Sequence, residues 1–358
     1  VNGQADIPAA ADAGMAADAA NLGIAGIAPD SGNAGMAAEA GIAVREYTPG
    51  REAAWEDLVA RSWNGTFLHQ RQFVSYHGDR FRDRSLLLED RRGRLAGVFP
   101  AAEAPGDPEL IVSHPGLTYG GVLHDGSLRG AAMLDALARI AGHYREAGYR
   151  RLRYKAVPGI YHTSPAEDDL YALFRAGARR YRSDLSAAID LAGRGPVTQR
   201  RLRSRRRAEA AGVVTQESWD DIAAFWRILE QNLARRHGAA PVHSLAEIEL
   251  LHDRFPAQIL LVAAKISGVP VGGTVLFAAG PVLHMQYSAT SEDGRASCAT
   301  DLVMEHAIEL AAKRGCRYFD FGTCTLDEGR SLGEDLYQFK ASFGAGGIVY
   351  DHYELDLR

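Results

Sequence analysis

From Val44 onward, apolar and polar positions fall into two passes through one order of elements. In the first pass, "RSLLLED" (84–90) and "RLAGVFPA" (94–101), parted by the turn residues "RRG", predict a strand hairpin. "ELIVSH" (109–114) reads as a third strand and runs into the Gly-rich "PGLTYGGVL". An amphipathic helix over about 128–147, a strand "RRLRYKAV", a short helix "DDLYALFRAGA" and a strand "SDLSAAIDL" complete the pass. The second pass repeats the order. "QILLVAAKI" (258–266) and "VGGTVLFAA" predict the hairpin, "PVLHMQYSAT" (281–290) the third strand, and "SEDGRASC" the loop. The helix "ATDLVMEHAIELAAKRG", the strand "CRYFDFG", the helix "EDLYQFKASFGA" and the strand "GIVYDHYELDL" come next.

Two landmarks keep one separation. Gly148 and Gly315, which end the long helices, lie 167 residues apart, and the two Asp-Leu-Tyr words at Asp169 and Asp335 lie 166 apart. A duplicated unit predicts this. Between the passes stand an Arg-rich run, "RRLRSRRR" (200–207), and an apolar-periodic helix over 219–236. The expected organisation is two mixed α/β domains, 44–193 and 194–358, behind a tail.

That tail, residues 1–43, carries Asp6, Asp12, Asp18, Asp30 and Glu39 and no Lys or Arg. It is rich in Ala and Gly and lacks aromatics, so it cannot bury enough surface to offset its ordering entropy and is expected to be disordered. The whole chain has a formal net charge of -5. The remaining 315 residues therefore sum to zero, which is not the polycation expected of a duplex-DNA binder. Cys298, Cys316 and Cys324 form no C-x-x-C or Cys/His ligand pattern, which argues against a zinc site and fits a reducing compartment. No stretch reads as a signal peptide or a membrane span, and the expected location is the cytoplasm.

"VHSLAEIELLHDRFP", "HMQYSAT", "YFDFGTCT" and "EDLYQFKASFGA" resemble the second domain of tandem-GNAT acyltransferases, the FemAB-like group related to Fem-type aminoacyl transferases. "FLHQRQFVSYHGDRF", "SHPGLTYGGVL" and "AVPGIYHTSPAEDDLYALFRAGA" resemble the matching first domain. The resemblance spans 45–358 and implies two tandem GNAT-like domains of mixed-sheet α/β class. One branch of the group resembles N-acyltransferases that use acyl-CoA on amino sugars of bacterial surface polysaccharides. The other moves an amino acid from aminoacyl-tRNA to a peptidoglycan precursor.

The resemblance implies a pyrophosphate cradle where a loop enters a helix N-terminus, because unpaired N–H groups there favour anions. Arg295, Ser297, Cys298, Ala299 and Thr300 occupy that place, with Cys298 where the family pattern has Gly. The adjoining strand offers Gln286, Tyr287 and Ser288 to the coenzyme; strict alternation puts His284, Gln286 and Ser288 on one face and Met285 and Tyr287 on the other. The candidate general base is His284 or a water-linked Asp320. Asp320, a carboxylate inside the aromatic strand "YFDFG", is either at the site or solvent-facing, since unpaired burial costs several kcal/mol.

On "EDLYQFKASFG", the spacing of Leu336, Phe339 and Phe343 predicts a core face, with Tyr337 and Lys340 beside it. Lys340 is either a comfortable helix C-terminal cation or a pairing group in the acceptor cleft, and the Tyr337 hydroxyl is a candidate acid for the leaving thiolate. His114, Tyr119, Lys155, His243 and Thr323 are candidate acceptor contacts. The first domain lacks the cradle pattern and is expected to wall the acceptor site without binding coenzyme A. No metal is expected.

The expected activity is transfer of an acyl group from acyl-CoA to the amine of a nucleotide-linked amino sugar, in a ternary complex. The alternatives are a Fem-type tRNA-dependent transferase and a non-catalytic binding module. The neutral body ranks nucleic acid behind coenzyme A.

Overall fold

The structure is a computed structural model that describes residues 41–358. The tail expected over 1–43 lies, apart from its last three residues, outside the described residues. Residues 41–358 belong to one compact unit.

The first pass runs β1 (Ala43–Glu46), α1 (Glu52–Arg61), α2 (Arg71–Val74), β2 (Leu86–Glu89), β3 (Leu95–Phe99), β4 (Ala102–Ala104), β5 (Asp107–Val112) and β6 (Leu123–His124). It continues through α3 (Ala131–Glu146), β7 (Arg151–Lys155), a 3-10 turn Gly159–Tyr161, α4 (Asp168–Arg175) and β8 (Arg179–Asp190). Next come α5 (Gln199–Ala210), β9 (Val213–Glu217), α6 (Ile222–His237) and α7 (Leu245–Arg254). The second pass is β10 (Ile259–Ile266), β11 (Val269–Ala279), β12 (Val282–Thr290), α8 (Glu292–Ala296), α9 (Ala299–Lys313) and β13 (Tyr318–Thr323). A small hairpin of β14 (Thr325–Leu326) and β15 (Ser331–Leu332), then α10 (Glu334–Ala341) and β16 (Gly346–Asp356), close the chain. Every strand and helix expected from periodicity is present. The helices α1, α2 and α7, the short β1, β4, β6, β9 and α8, and the β14–β15 hairpin are additional.

Ten strands make one sheet, in the order β4-β5-β7-β16-β8-β13-β12-β11-β10-β9. The final strands of the two passes are exchanged: β16 inserts between β7 and β8, and β8 pairs with β13. A separate four-stranded sheet, β1-β2-β3-β6, takes the first-pass hairpin away from β5. Pro100 lies between β3 and β4, and a proline cannot donate to a ladder, so the chain changes sheets there.

Alternation explains the layers. Leu261, Ala263, Val275 and Phe277 pack against Ile222, Phe225, Trp226 and Leu229 of α6 on one face. Val262, Ala264 and Leu276 pack against Val303, Met304 and Ala307 of α9 on the other. Strands buried on both faces read as near-continuous apolar runs, as "QILLVAAKI" does. The glycine after each long helix adopts a left-handed turn, φ +94 at Gly148 and φ +73 at Gly315. The next residue then bonds back into the last turn, Tyr149 N–H to Tyr144 O and Cys316 N–H to Ala311 O, each at 3.0 Å.

Candidate active site

β12 and β13 run parallel over only three positions, Val282–Tyr318, Leu283–Phe319 and His284–Asp320. Beyond them the strands part, and the gap opens into a cavity of about 770 Å3. His284, Met285, Gln286, Ser288 and Ala289 line it from β12, and Phe321, Gly322 and Thr323 from β13. Leu229, Asn232 and Leu233 of α6, Thr300 and Met304 of α9, and Asp335, Leu336, Phe339 and Lys340 of α10 complete much of the wall. Met285 joins this surface against strict alternation. The pairing of β12 with β11 skips one residue between Met285–Leu276 and Tyr287–Val275, so Gln286 is a bulge. Tyr287 accordingly turns away: its hydroxyl lies 2.6 Å from His243 Nδ1, and its ring meets Trp226 edge-on at 5.3 Å.

Asp320 lies at the vertex of the gap, wholly buried, and its carboxylate receives five donors. His284 Nδ1 lies 3.0 Å from Oδ2, with the hydroxyls of Tyr161 at 2.7 Å and Tyr350 at 2.5 Å on the same oxygen. Ser186 Oγ at 2.6 Å and the Gly322 N–H at 2.9 Å hold Oδ1. Burial alone would raise this carboxyl. The hydrogen bond and charge of His284, with the bonds from Ser186 and Tyr350, outweigh it and hold Asp320 well below the usual carboxylate range. An ionised carboxylate only accepts, so His284 donates from Nδ1 and its Nε2 is left as the acceptor. A Cβ at Gly322 would sit 3.5 Å from His284 Cε1 and 4.0 Å from Nε2. The glycine, at φ +76, leaves that edge of the ring clear.

Lys340 is 3% exposed. Its ammonium donates to the carbonyls of Gly322 at 2.7 Å and Thr323 at 2.9 Å, so it ties α10 to the end of β13 rather than pairing with Asp320. Burial pulls its pKa down, against the nearby Cys324 thiol and Asp320. The rest of α10 is turned from the expected face. Phe343 is in the core, but Leu336 and Phe339 face the cavity, and Tyr337 packs beside the core instead of lining the site.

The cradle loop folds as the five-residue α8. Ser297 donates its hydroxyl to Asp293 O at 2.8 Å, and Cys298 takes φ +61, the left-handed conformation that the expected glycine would adopt. Arg295 and Thr300 reach the cavity; Ser297, Cys298 and Ala299 do not line it. Arg295 is held by Thr290 O at 2.8 Å.

The remaining acceptor candidates, three from the first pass and His243 from the second domain, are placed behind the wall. Lys155 is buried and donates to the Pro115 carbonyl at 3.2 Å and to that of Leu117, and burial, with Arg182, brings it down to about 7. His114 is buried at φ +59 beside His77. His243 bridges the hydroxyls of Tyr76 and Tyr287. Tyr119 packs on Tyr161 and Tyr350, with ring centroids 4.7 and 6.3 Å away. Of the expected site residues the structure therefore gathers His284, Gln286, Ser288, Arg295, Thr300, Thr323 and Lys340 at one cavity, with Asp320 directly beneath.

Tyr161, Ser186 and Tyr350 are not singled out by sequence reasoning. Their signal is indirect: a carboxylate in an aromatic strand requires donors, but the donors come from 134 and 159 residues upstream and 30 downstream.

Residues 198–340 match the family model of the Acetyltransferase (GNAT) domain. Among solved structures, the chain is similar to "Crystal structure of FemX", with TM-score 0.62, 13% identity, and 88% of this chain and 97% of that chain covered. It is also similar to the C-terminal domain (DUF2156) of a putative lysylphosphatidylglycerol synthetase from Agrobacterium fabrum, with TM-score 0.58, 12% identity and coverage of 86% and 92%. The structure of L-PGS from Bacillus licheniformis gives TM-score 0.58 at 11% identity, covering 88% and 93%. At such identities the likeness is one of fold. No curated protein matches the chain. The protein has the GNAT fold and is an acyltransferase of the GNAT type. Among the described residues, no helix is long and apolar enough to cross a membrane, and no group of His, Cys, Asp and Glu is placed to hold a metal.

Proposed function

We propose that the protein transfers an acyl group from acyl-coenzyme A to the amine of a nucleotide-linked amino sugar, in the cytoplasm, by direct attack in a ternary complex. The observation that carries this reading is His284, at the vertex of the cavity and backed by Asp320. The amine nitrogen attacks the thioester carbonyl, and His284 Nε2 takes the ammonium proton. The C–N bond forms as the C–S bond breaks, and the leaving thiolate takes the proton from the His284 imidazolium, which returns the base to its neutral form. Asp320 does not take the proton itself, because its lone pairs are engaged and it does not reach the cavity. Past His284, β12 has lost β13 as a partner, so its freed N–H groups on that edge would stabilise the oxyanion. Thr300, in the first turn of α9, and Arg295 would meet the donor's phosphates. Residues 44–193 would supply the wall on the acceptor side, and 194–358 the donor site.

The exposed arginines of α5 favour a second reading, with aminoacyl-tRNA as donor. Arg200, Arg203 and Arg207 lie on one exposed stripe, and Arg200 lines a smaller cavity that shares Asp335 and Phe339 with the main one. Titration calorimetry with acetyl-CoA, longer acyl-CoAs and charged tRNA separates the two. Heat with an acyl-CoA, followed by acylation of a nucleotide-linked amino sugar, is the expected result. No heat with any acyl-CoA overturns the first reading.

A further inference from the structure

We propose that Tyr161 and Tyr350 are positioning residues of the acyl-transfer reaction, which makes the first pass of the chain part of the catalytic apparatus and not only its wall. The inference rests on His284 acting as the base. Tyr161 ends the 3-10 turn that comes after β7, where its N–H is held by Pro158 O at 2.9 Å. Its hydroxyl lies 2.7 Å from Asp320 Oδ2, 3.1 Å from His284 Nδ1 and 2.7 Å from the Tyr350 hydroxyl. Tyr350, on the exchanged strand β16, reaches the same carboxylate oxygen and also lines the cavity. The Tyr119 ring packs on that of Tyr161 at 4.7 Å between centroids and lies 6.3 Å from that of Tyr350.

The consequence is electrostatic as well as geometric. A carboxylate oxygen shared among two phenols and an imidazole presents less of its charge to the imidazole than a bare one would. The phenols therefore fix Oδ2 opposite Nδ1, keep Nε2 as the accepting nitrogen, and weaken the pull of Asp320 on the imidazolium. The groups facing His284 are Asp320, Tyr161 and Tyr350 around the ring, with Lys340, Arg295 and Asp335 across the cavity.

Tyr161→Phe and Tyr350→Phe each remove one oxygen and keep the ring. Each is expected to lower kcat by about tenfold, the scale of losing one hydrogen bond to a charged group. Each also moves the midpoint of the acid limb of the kcat/KM profile upward, because Asp320 then stabilises the imidazolium more strongly. Asp320→Asn moves it downward. Histidine side-chain NMR across pH, with the His284 signal assigned from His284→Gln, reads the same midpoint and tautomer without any substrate, and melting temperatures confirm that each variant folds. An upward shift in either Tyr variant supports the proposal. Wild-type midpoint and tautomer in both folded variants overturn it, whatever kcat does. The NMR result stands even if the wild type accepts no acyl-CoA, an outcome that would overturn the donor reading alone.

Discussion

The two parallel strand pairs of the molecule are built alike and furnished differently. In the first pass β5 and β7 match at Leu110–Arg151, Ile111–Leu152 and Val112–Arg153; in the second, β12 and β13 match at Val282–Tyr318, Leu283–Phe319 and His284–Asp320. The third position thus holds Val112 and Arg153 in one copy and His284 and Asp320 in the other. Arg153 is spent on Glu354 at 2.9 Å. Two residues on, the first copy has Lys155 where the second has Gly322. Lys155 stitches the loop 115–117 across the end of its own strand, its N–H donates to Ser113 Oγ at 2.8 Å, and its carbonyl accepts from Gly120 at 2.9 Å. Gly322 leaves the equivalent place open to the cavity. The splay comes with the duplicated frame; whether it becomes a cavity depends on a few residues at its mouth.

The final helices repeat the contrast in reverse. Lys340 is buried and its counterpart Phe174 is 74% exposed. Asp169 is buried against Tyr154 at 2.5 Å, and its counterpart Asp335 stands exposed at the cavity. One Asp-Leu-Tyr word serves packing in one copy and lines the cavity in the other.

Substitutions that cross the two copies test this. The largest effect is expected from His284→Gln, which removes the proposed base; kcat should fall roughly 10²- to 10⁴-fold in steady-state assays. Next is Gly322→Lys, which gives the second copy the first copy's residue. It places a side chain beside His284 and adds about 1–2 kcal/mol of strain at a left-handed position. Weaker donor binding by calorimetry and a lower melting temperature should both result, and unchanged binding would refute the reading of Gly322 as the open door.

The reciprocal site gives a stability effect. Lys155→Met leaves buried carbonyls of the 115–117 loop unpaired, at a cost of about 1–3 kcal/mol by denaturant unfolding. Its sign with pH is distinctive. The folded protein holds Lys155 at about 7, below its ordinary 10.5, so the unfolded chain binds more protons between these values. Wild-type stability should therefore gain a rising component from about pH 7 towards 10.5, and the Met variant should lack it. The smallest change is expected from Phe174→Lys. It copies Lys340 onto an exposed helix position and should shift stability by less than about 0.5 kcal/mol, with activity intact.

Much of this architecture is legible in the chain alone. Periodicity locates the repeated strands and helices, the paired glycines locate the helix ends, and Asp320 stands out as a carboxylate within an aromatic strand. The sheet exchange is not legible, because strand order depends on which edges meet and not on the pattern along any one strand. Tyr287 shows the same limit more finely. One bulge residue, Gln286, reverses the face of the residues after it, and nothing local in "HMQYSA" marks it.

The sequence by itself determined the duplicated frame, the element types and the chemical character of the site, since these arise from hydrophobic period, turn residues and side-chain inventory. Only the tertiary structure decided how the cleft of the second copy opens and who serves Asp320. A buried carboxylate is stabilised by whichever donors the fold brings within about 3 Å, and here they come from both passes and the last strand.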